Sequence, residues 1–216
     1  MRIGILGAGG MADALGTQWA RAGHEVLISG RDLGRSTGQA GKMNARAGRA
    51  GVRAGSWAEA AAYGDVVMAA VRAEGLAGVL RACGAELRGK PVIDVTNAAP
   101  DEYDPTRPFA GLIGELTGAH VVKAFNLCHV DVWRMTPPVF DGRPLAVPLC
   151  GDDAAALEAV RTLVTDLGCT PVDGGGLGRA MLLEATASFM IGLWFGGADA
   201  QAVLPPLASS GEHRPG

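Results

Sequence analysis

The chain has 216 residues, of which 48% are hydrophobic and 33 are glycines, a length that suits one large domain or one domain with a small appendage. Its formal net charge of −3 argues against a nucleic-acid partner, because proteins that bind nucleic acids carry a basic surface. The sequence has no apolar run long enough to cross a bilayer, and a core strand is predicted from residue 2, so we expect neither a membrane association nor a signal peptide. The four cysteines are widely spaced, which favours reduced thiols and a cytoplasmic location.

Residues 1–32 are predicted to form a strand, a glycine-rich turn, a helix and a second strand. The turn, Gly7 to Ala12, follows the pattern G-x-G-x-x-A. In this pattern Gly7 permits a tight turn, Gly9 lets a pyrophosphate approach the backbone, and Ala12 lets helix and strand pack closely. The helix start then offers free N–H groups to the phosphates. This context predicts a dinucleotide site; the alternative is a glycine-rich turn that binds no nucleotide.

The end of the second strand selects the cofactor. A carboxylate there would bind the ribose hydroxyl of NAD, but the chain has Ser29-Gly30-Arg31. Arg31 can pair with a 2′-phosphate, and Ser29 can donate a hydrogen bond to it. Asp32 lies one residue later and is expected to cap the next helix. The pattern therefore predicts NADP(H), unless Arg31 is an ordinary surface arginine.

The later elements alternate between strand and helix. Helices are predicted over 32–49, 57–63 (capped by Ser56), 74–83, 109–117, 130–135 and 177–195, and a further helix, capped by Asp152 or Asp153, is predicted to run to Asp166. Strands are predicted over 52–55, 66–71, 91–95, 120–126, 145–151 (at a sheet edge, because it contains a proline) and 169–172. The tail, 205–216, is polar and is expected to be disordered.

Ligands in such sheets lie beyond the carboxyl ends of the strands. Val71 and Arg72 should therefore lie over the nucleotide, and the amides of Asn97 and Asn126, which end two adjacent strands, could orient the nicotinamide carboxamide. The alternative is that both amides only satisfy loop backbone. The proline-rich loop 100–108 is either a mobile lid or a solvated insertion.

His129 is the candidate for acid–base work. An imidazole can donate a proton near neutral pH, and His129 follows Asn126 closely in the sequence. The alternative is that it caps or packs the next helix. Cys128-His129 lacks further ligands for a metal site, and no metal is expected.

The chain resembles the NADP oxidoreductase, coenzyme F420-dependent family. The resemblance rests on the sequences I-L-G-A-G-G-M-A from Ile5, S-G-R from Ser29, V-I-D-V-T-N from Val92, V-V-K-A-F-N from Val121, C-G-D-D-A from Cys150 and D-G-G-G-L from Asp173, followed by Arg179 and Leu183-Glu184. It implies a Rossmann-type α/β fold, a doubly wound, mostly parallel sheet with a small C-terminal α/β subdomain. It also implies hydride transfer between NADPH and the deazaflavin F420 or a related flavin-like acceptor.

The resemblance also assigns residues to parts of the cofactor. It implies pyrophosphate contacts from Gly9, Gly10, Met11 and Ala12, 2′-phosphate contacts from Ser29 and Arg31, strand-end contacts from Val71 and Arg72, and a nicotinamide pocket of Asn97, Ala98, Ala124 and Asn126. Founding members carry a proline and an aromatic residue where this chain has Arg72 and Ala73. This departure leaves the second, small-molecule substrate undetermined.

Two other functions remain open. The turn from Gly7 to Leu15 also resembles pyrroline-5-carboxylate reductases, which would make the chain a reductase of a small imine or enone, although those proteins have an all-helical C-terminal domain. A module that senses NADPH without turnover is the non-enzymatic alternative. We expect a nucleotide-binding domain over 1–140 and a C-terminal subdomain over 141–204, whose apolar helix, 177–195, would pack in a homodimer.

Overall fold

The structure, a computed structural model, describes residues 1–198. Its strands are β1 Arg2–Leu6, β2 Glu25–Ser29, β3 Val52–Gly55, β4 Val66–Ala69, β5 Pro91–Asp94, β6 His120–Lys123, β7 Val139–Phe140, β8 Arg143–Pro144, β9 Ala146–Gly151 and β10 Thr170–Gly175. Its α-helices are α1 Gly10–Arg21, α2 Leu33–Ala47, α3 Trp57–Tyr63, α4 Ala73–Leu87, α5 Phe109–Thr117, α6 Ala154–Thr165 and α7 Ala180–Phe195. Two 3-10 helices, Val132–Arg134 and Leu177–Arg179, complete the set.

One eight-stranded sheet organises the chain, in the order β10-β9-β6-β5-β4-β1-β2-β3. Its neighbouring strands run parallel, apart from β6 and β9, which are antiparallel. The chain winds outward from β1 in two directions, so the order reverses between β1 and β4. The predicted doubly wound, mostly parallel α/β fold is confirmed, and ligands in such folds bind at this switch point.

Helices cover both faces of the sheet because its central strands are apolar on both sides. On β4, Val66 and Met68 pack with α1 and α2 in one core cluster, whereas Val67 and Ala69 pack with α3 and α4 in the other. All four side chains are buried. This two-sided burial is the reason that β4 reads as a continuous apolar run rather than as an alternating pattern.

The capping predictions are confirmed. Ser56 accepts a hydrogen bond from the amide of Glu59 at 3.2 Å, and the Glu59 carboxylate accepts from the amide of Ser56 at 2.7 Å, a reciprocal capping box. Asp32 caps α2 by accepting from the amide of Arg35 at 2.9 Å. Both caps satisfy amides that the first helical turn would otherwise leave without partners.

The prediction that 145–151 forms an edge strand is wrong. Strand β9 lies between β6 and β10, and β10 forms the edge. The proline of β9, Pro148, is tolerated because β6 pairs only with Cys150 and Gly151 of this strand. Pro148 lies outside that stretch, and no hydrogen bond to β6 is lost there.

The C-terminal strands extend the same sheet as the N-terminal strands, with α6 packed in one core cluster and the start of α7 in the other. The proposed domain boundary at residue 140 stays a prediction, and the tail 205–216 lies outside the described residues. Among residues 1–198, none of the helices combines the length and the apolar character needed to span a bilayer.

Candidate functional site

The glycine turn lies at the switch point of the sheet, where β1 leads into α1. Gly9 is the N-cap of α1, and no side chain caps this helix. A Cβ added to Gly9 would meet nothing within 4 Å, so the space in front of the first helical turn is open. An open, uncapped helix start presents N–H groups and a positive dipole end to an anion.

Gly7 is required by its own geometry. Its φ of 150° is one that L side chains rarely adopt, and an added Cβ would lie 2.4 Å from the carbonyl oxygen of Ala70. The chain after β1 therefore packs directly against the chain after β4. Gly30 is similarly close to Ser36, whose Oγ would lie 2.7 Å from an added Cβ. The predicted tight turn thus rests on close packing, against backbone at Gly7 and against a side chain at Gly30.

Ser29 ends β2, and its predicted contact to the 2′-phosphate stays a prediction. The serine is fully buried, and its hydroxyl donates to the carbonyl oxygen of Ile5 at 2.9 Å. The hydroxyl therefore ties β2 to β1, because the pleat turns this last residue of β2 into the sheet rather than toward solvent. Arg31 is exposed at the end of β2, and Arg35 is exposed on the first turn of α2.

The other strand-end residues lie at the same edge of the sheet. Val71 is half-buried and Arg72 exposed after β4, Ala98 is buried after β5, and Ala124 is fully buried after β6. Because β4, β5 and β6 are parallel neighbours, their carboxyl ends meet along one edge. Arg72 is also the N-cap of α4.

Asn97 and Asn126 contact each other directly. Asn97 Nδ2 donates to the carbonyl oxygen of Asn126 at 2.7 Å, and Asn126 Nδ2 donates to Asn97 Oδ1 at 2.9 Å and to the Leu183 carbonyl oxygen at 3.0 Å. Asn126 is 5% exposed, and its Oδ1 has no hydrogen-bond partner among the described residues. A buried acceptor in this state is one that a ligand amide could satisfy.

The turn that carries Asn126 has an unusual backbone. Phe125 has a φ of 60°, which is a genuine outlier for a bulky residue. Its ring is held edge-on between Trp19, at a centroid distance of 5.8 Å, and Trp133, at 5.3 Å. Packing of the aromatic rings thus stabilises the backbone conformation that follows β6, as at other functional sites where strain is supported by the surrounding core.

A buried ionic triad joins three elements beneath this edge. Lys123 Nζ lies 2.9 Å from Asp94 Oδ2 and 3.1 Å from Glu184 Oε1, and it also donates to the Thr96 carbonyl oxygen. The three charged side chains are at most 2% exposed. Burial raises the pKa of the Glu184 carboxyl, and the Lys123 ammonium opposes that rise. The triad fixes β5, β6 and α7 relative to one another, because an ammonium makes three directed hydrogen bonds.

The sequence motifs contain the members of this triad, but its formation was not predicted from them. A lysine within V-V-K-A-F and an aspartate within V-I-D-V interrupt apolar strands. Charged residues are almost never fully buried unless they are paired. That pattern alone could have predicted that Lys123 and Asp94 form a pair, whereas their partner on α7 lies too far along the chain to be chosen from sequence.

A cavity of about 490 Å³ opens beside the triad. Its walls come from Ala98, from the loop 100–108, from α5 and from Glu184 on α7. The loop is fastened to α7, because the Tyr103 hydroxyl donates to the Met181 carbonyl oxygen at 3.2 Å. Whether the loop moves as a lid stays a prediction.

His129 lies in the segment that passes the glycine turn, since Val130 Cγ2 is 3.4 Å from where a Cβ on Gly10 would lie. Its side chain is 68% exposed, and its Nδ1 lies 3.4 Å from Asp131 Oδ2. A catalytic role for His129 stays a prediction. Within residues 1–198, no group of three or more His, Cys, Asp or Glu side chains could hold a metal ion.

Comparison with known proteins agrees with this geometry. The model of the family "NADP oxidoreductase coenzyme F420-dependent" matches residues 2–98. The F420-dependent NADP reductase of Methanocaldococcus jannaschii is 30% identical over 149 residues, which cover 62% of this chain and 64% of that protein. Metalloreductase STEAP3 of Rattus norvegicus is 28% identical over 195 residues, 89% of this chain but 38% of that protein. The chain thus spans less than two thirds of the length of either relative.

A solved structure extends the similarity to most of the fold. The crystal structure of an Arthrobacter sp. FB24 protein, provisionally described as an F420-dependent NADP-reductase, superimposes with a TM-score of 0.77 at 27% identity and covers 92% of this chain and 96% of that one. The resemblance inferred from the sequence motifs is therefore confirmed: residues 2–98 carry the signature of the NADP oxidoreductase, coenzyme F420-dependent, family.

Proposed function

We propose that the chain is an oxidoreductase that binds NADPH at the switch point of its sheet and passes a hydride from it to a small second substrate. The observation that carries this proposal is the open, uncapped start of α1 behind Gly9, at the crevice between β1 and β4. The family matched by residues 2–98 is one of NADP oxidoreductases, which supports the choice of cofactor.

The residues at this edge suit the parts of NADPH. The N–H groups that begin α1, from Gly10 to Ala12, would bind the pyrophosphate. Arg31, with Arg35 nearby on α2, would hold the 2′-phosphate, since guanidinium groups bind phosphate oxygens in a bidentate manner. The carboxylate of Asp32 caps α2 by accepting from the amide of Arg35.

The nicotinamide end would lie over Ala98, Ala124 and Asn126. The unpartnered Oδ1 of Asn126 would accept a hydrogen bond from the carboxamide, and Asn97 would hold the Asn126 side chain in place through their mutual hydrogen bonds. Bound NADPH supplies a hydride donor, and such a transfer depends on proximity and orientation more than on acid–base groups. The role of these residues is therefore to fix the ring at the edge of the cavity.

Coenzyme F420 is the first acceptor to test, because the family and one relative are described by it. A small imine is the second candidate. The observation that favours it is the charge of the cavity wall, where four carboxylates face one guanidinium: a protonated imine is a cation, and a surface with excess carboxylate concentrates cations.

The experiment is NADPH oxidation by the purified chain, with F420, FMN and a cyclic imine each offered as acceptor, beside a direct measurement of NADPH binding. We expect binding of NADPH and turnover with at least one acceptor. Binding without turnover would favour the NADPH-sensing alternative, and failure to bind NADPH would refute the proposal.

We also propose that the protein is a homodimer through α7. This helix buries only Ala180, Glu184, Ala187 and Ser188, whereas Leu182, Phe189, Trp194 and Phe195 are exposed large apolar side chains. Apolar side chains gathered on one helix mark an interaction surface. Light scattering tests this, and a monodisperse monomer would contradict it.

A further inference from the structure

Glu184 is the one member of the buried triad that lies on the wall of the cavity. Its carboxylate oxygens accept hydrogen bonds from the Phe109 amide at 3.1 and 3.2 Å, and Phe109 also lines the cavity. The side chain of Glu184 is 2% exposed. A carboxylate buried at the edge of a cavity is unfavourable unless its charge is compensated.

The charges of the triad do not balance. Asp94 and Glu184 supply two carboxylates, and Lys123 supplies one ammonium. The start of α5, where Phe109 donates, offsets part of the excess through the helix dipole, but a partial charge remains uncompensated. Burial is the main reason that the pKa of Glu184 is raised; Lys123 opposes this rise, and Asp94 adds to it. A cation in the cavity would complete the charge balance.

The other residues of the cavity wall also favour a cation. Glu102, Asp104 and Glu115 outnumber Arg107 among its exposed charged residues. The partly buried rings of Tyr103 and Phe109 also line it, and aromatic faces attract cations. A buried carboxylate, an acidic rim and aromatic walls around one cavity together favour a ligand that combines positive charge with an apolar body.

We propose that this cavity binds the hydride acceptor as a cation, a protonated or N-alkylated imine, with Glu184 as its charge partner. The inference rests on the proposed function, and it names the substrate class of that site. Ala98 connects the cavity with the proposed nicotinamide site, because it lines the cavity and directly follows Asn97.

The reaction balances without an acid group. The C4–H bond of the dihydronicotinamide breaks, its hydrogen and electron pair form a C–H bond at the iminium carbon, and the electrons of the C=N π bond become the lone pair on nitrogen. NADPH is oxidised to NADP⁺, and the iminium ion is reduced to a neutral amine.

The test compares two ligands of the same shape by calorimetry: the permanently charged N-methyl-dihydroisoquinolinium ion and neutral methyl-dihydronaphthalene. We expect the cation to bind about tenfold to a hundredfold more tightly, the range for a hydrogen bond or contact to a buried charge. Glu184→Gln should lower this preference by most of that factor. The matched control Glu158→Gln, an exposed site on α6, changes the net charge equally and should leave the preference unchanged.

Two further measurements keep the test decisive. If Glu184→Gln fails to fold, Glu115→Gln at the exposed rim should weaken binding of the cation in the same direction by a smaller factor. The preference should also weaken as the pH falls and Glu184 takes up a proton. The groups that face this carboxyl are Lys123 from β6, Asp94 from β5, Tyr103 from the loop and the Phe109 amide from α5.

The outcomes separate the two proposals. Equal binding of the two ligands, or a preference that Glu184→Gln leaves intact, would overturn the proposal of a cationic acceptor. The oxidoreductase proposal would still stand if the protein bound NADPH and reduced F420. Both proposals would be supported if NADPH reduced the cation and Glu184→Gln lost this activity through a higher KM. Binding of the cation by a protein that does not bind NADPH would refute the oxidoreductase proposal, on which the acceptor role rests.

Discussion

Replacing Lys123 with methionine tests the triad that supports the site. The ammonium is fully buried between Asp94 and Glu184, and methionine has a similar length without charge. Removing one partner of a buried ion pair leaves charge uncompensated and costs about 3–5 kcal/mol. For a chain of this size that corresponds to a fall in melting temperature of about 6–20 °C.

The loss should depend on pH, which distinguishes charge from packing. Burial already raises the pKa of Glu184 above 4.5, and loss of the ammonium raises it further. A group whose pKa is higher in the folded state contributes stability below its unfolded pKa and loses it as pH rises through the folded value. The deficit of Lys123→Met should therefore be larger at pH 8 than at pH 5.

Thermal unfolding of both proteins across this pH range measures the effect. Lys42→Met, at an exposed position on α2, is the control for loss of a lysine, and it should change the free energy of unfolding by less than about 0.5 kcal/mol. Adding Glu184→Gln to Lys123→Met should recover part of the loss. A deficit below about 1 kcal/mol, or one that is the same at pH 5 and pH 8, would refute the argument from buried charge.

Three further predictions concern the glycine turn, the cofactor choice and the thiols. Gly9→Ala should fold normally, because its added Cβ meets nothing, yet weaken NADPH binding in a fluorescence titration; Gly7→Ala should lower the free energy of unfolding by about 1–3 kcal/mol through its positive φ. Arg31→Ala should reduce the preference for NADPH over NADH by about tenfold to a hundredfold, whereas Arg81→Ala, exposed on α4, should not; an unchanged preference would assign the 2′-phosphate elsewhere. Burial raises the pKa of the Cys83 thiol to about 11, so at pH 8 this thiol should react with a disulfide reagent only after denaturation, and rapid labelling in the native state would contradict its burial.

Much of the fold could be predicted from local sequence. The turn from Gly7 to Ala12, the capping box at Ser56 and the apolar run of β4 each specify their own structure, because glycine conformations, caps and periodicity act over a few residues. Strand β9 could not be assigned to the interior of the sheet. Its proline favoured an edge, and only the short reach of its pairing with β6 removed the conflict.

The site was predicted in part. Gly9, Arg31, Asn97 and Asn126 follow from the rule that ligands lie at strand ends. The direction of the Ser29 hydroxyl toward Ile5 could not be predicted from sequence, because it depends on the pleat and twist of two neighbouring strands. In the same way, the sequence places the two asparagines at the ends of neighbouring strands, but only the structure shows that they are hydrogen-bonded to each other.

The sequence by itself determined the alternation of strands and helices and the glycine turn at the head of α1, because these depend on contacts between near neighbours in the chain. Only the tertiary structure decided that Asp94, Lys123 and Glu184 form one buried triad and that a cavity opens beside it. These three residues belong to β5, β6 and α7, and no local rule relates their positions. They meet because the sheet and its covering helices bury their apolar faces, and the charges inside that core must then find partners.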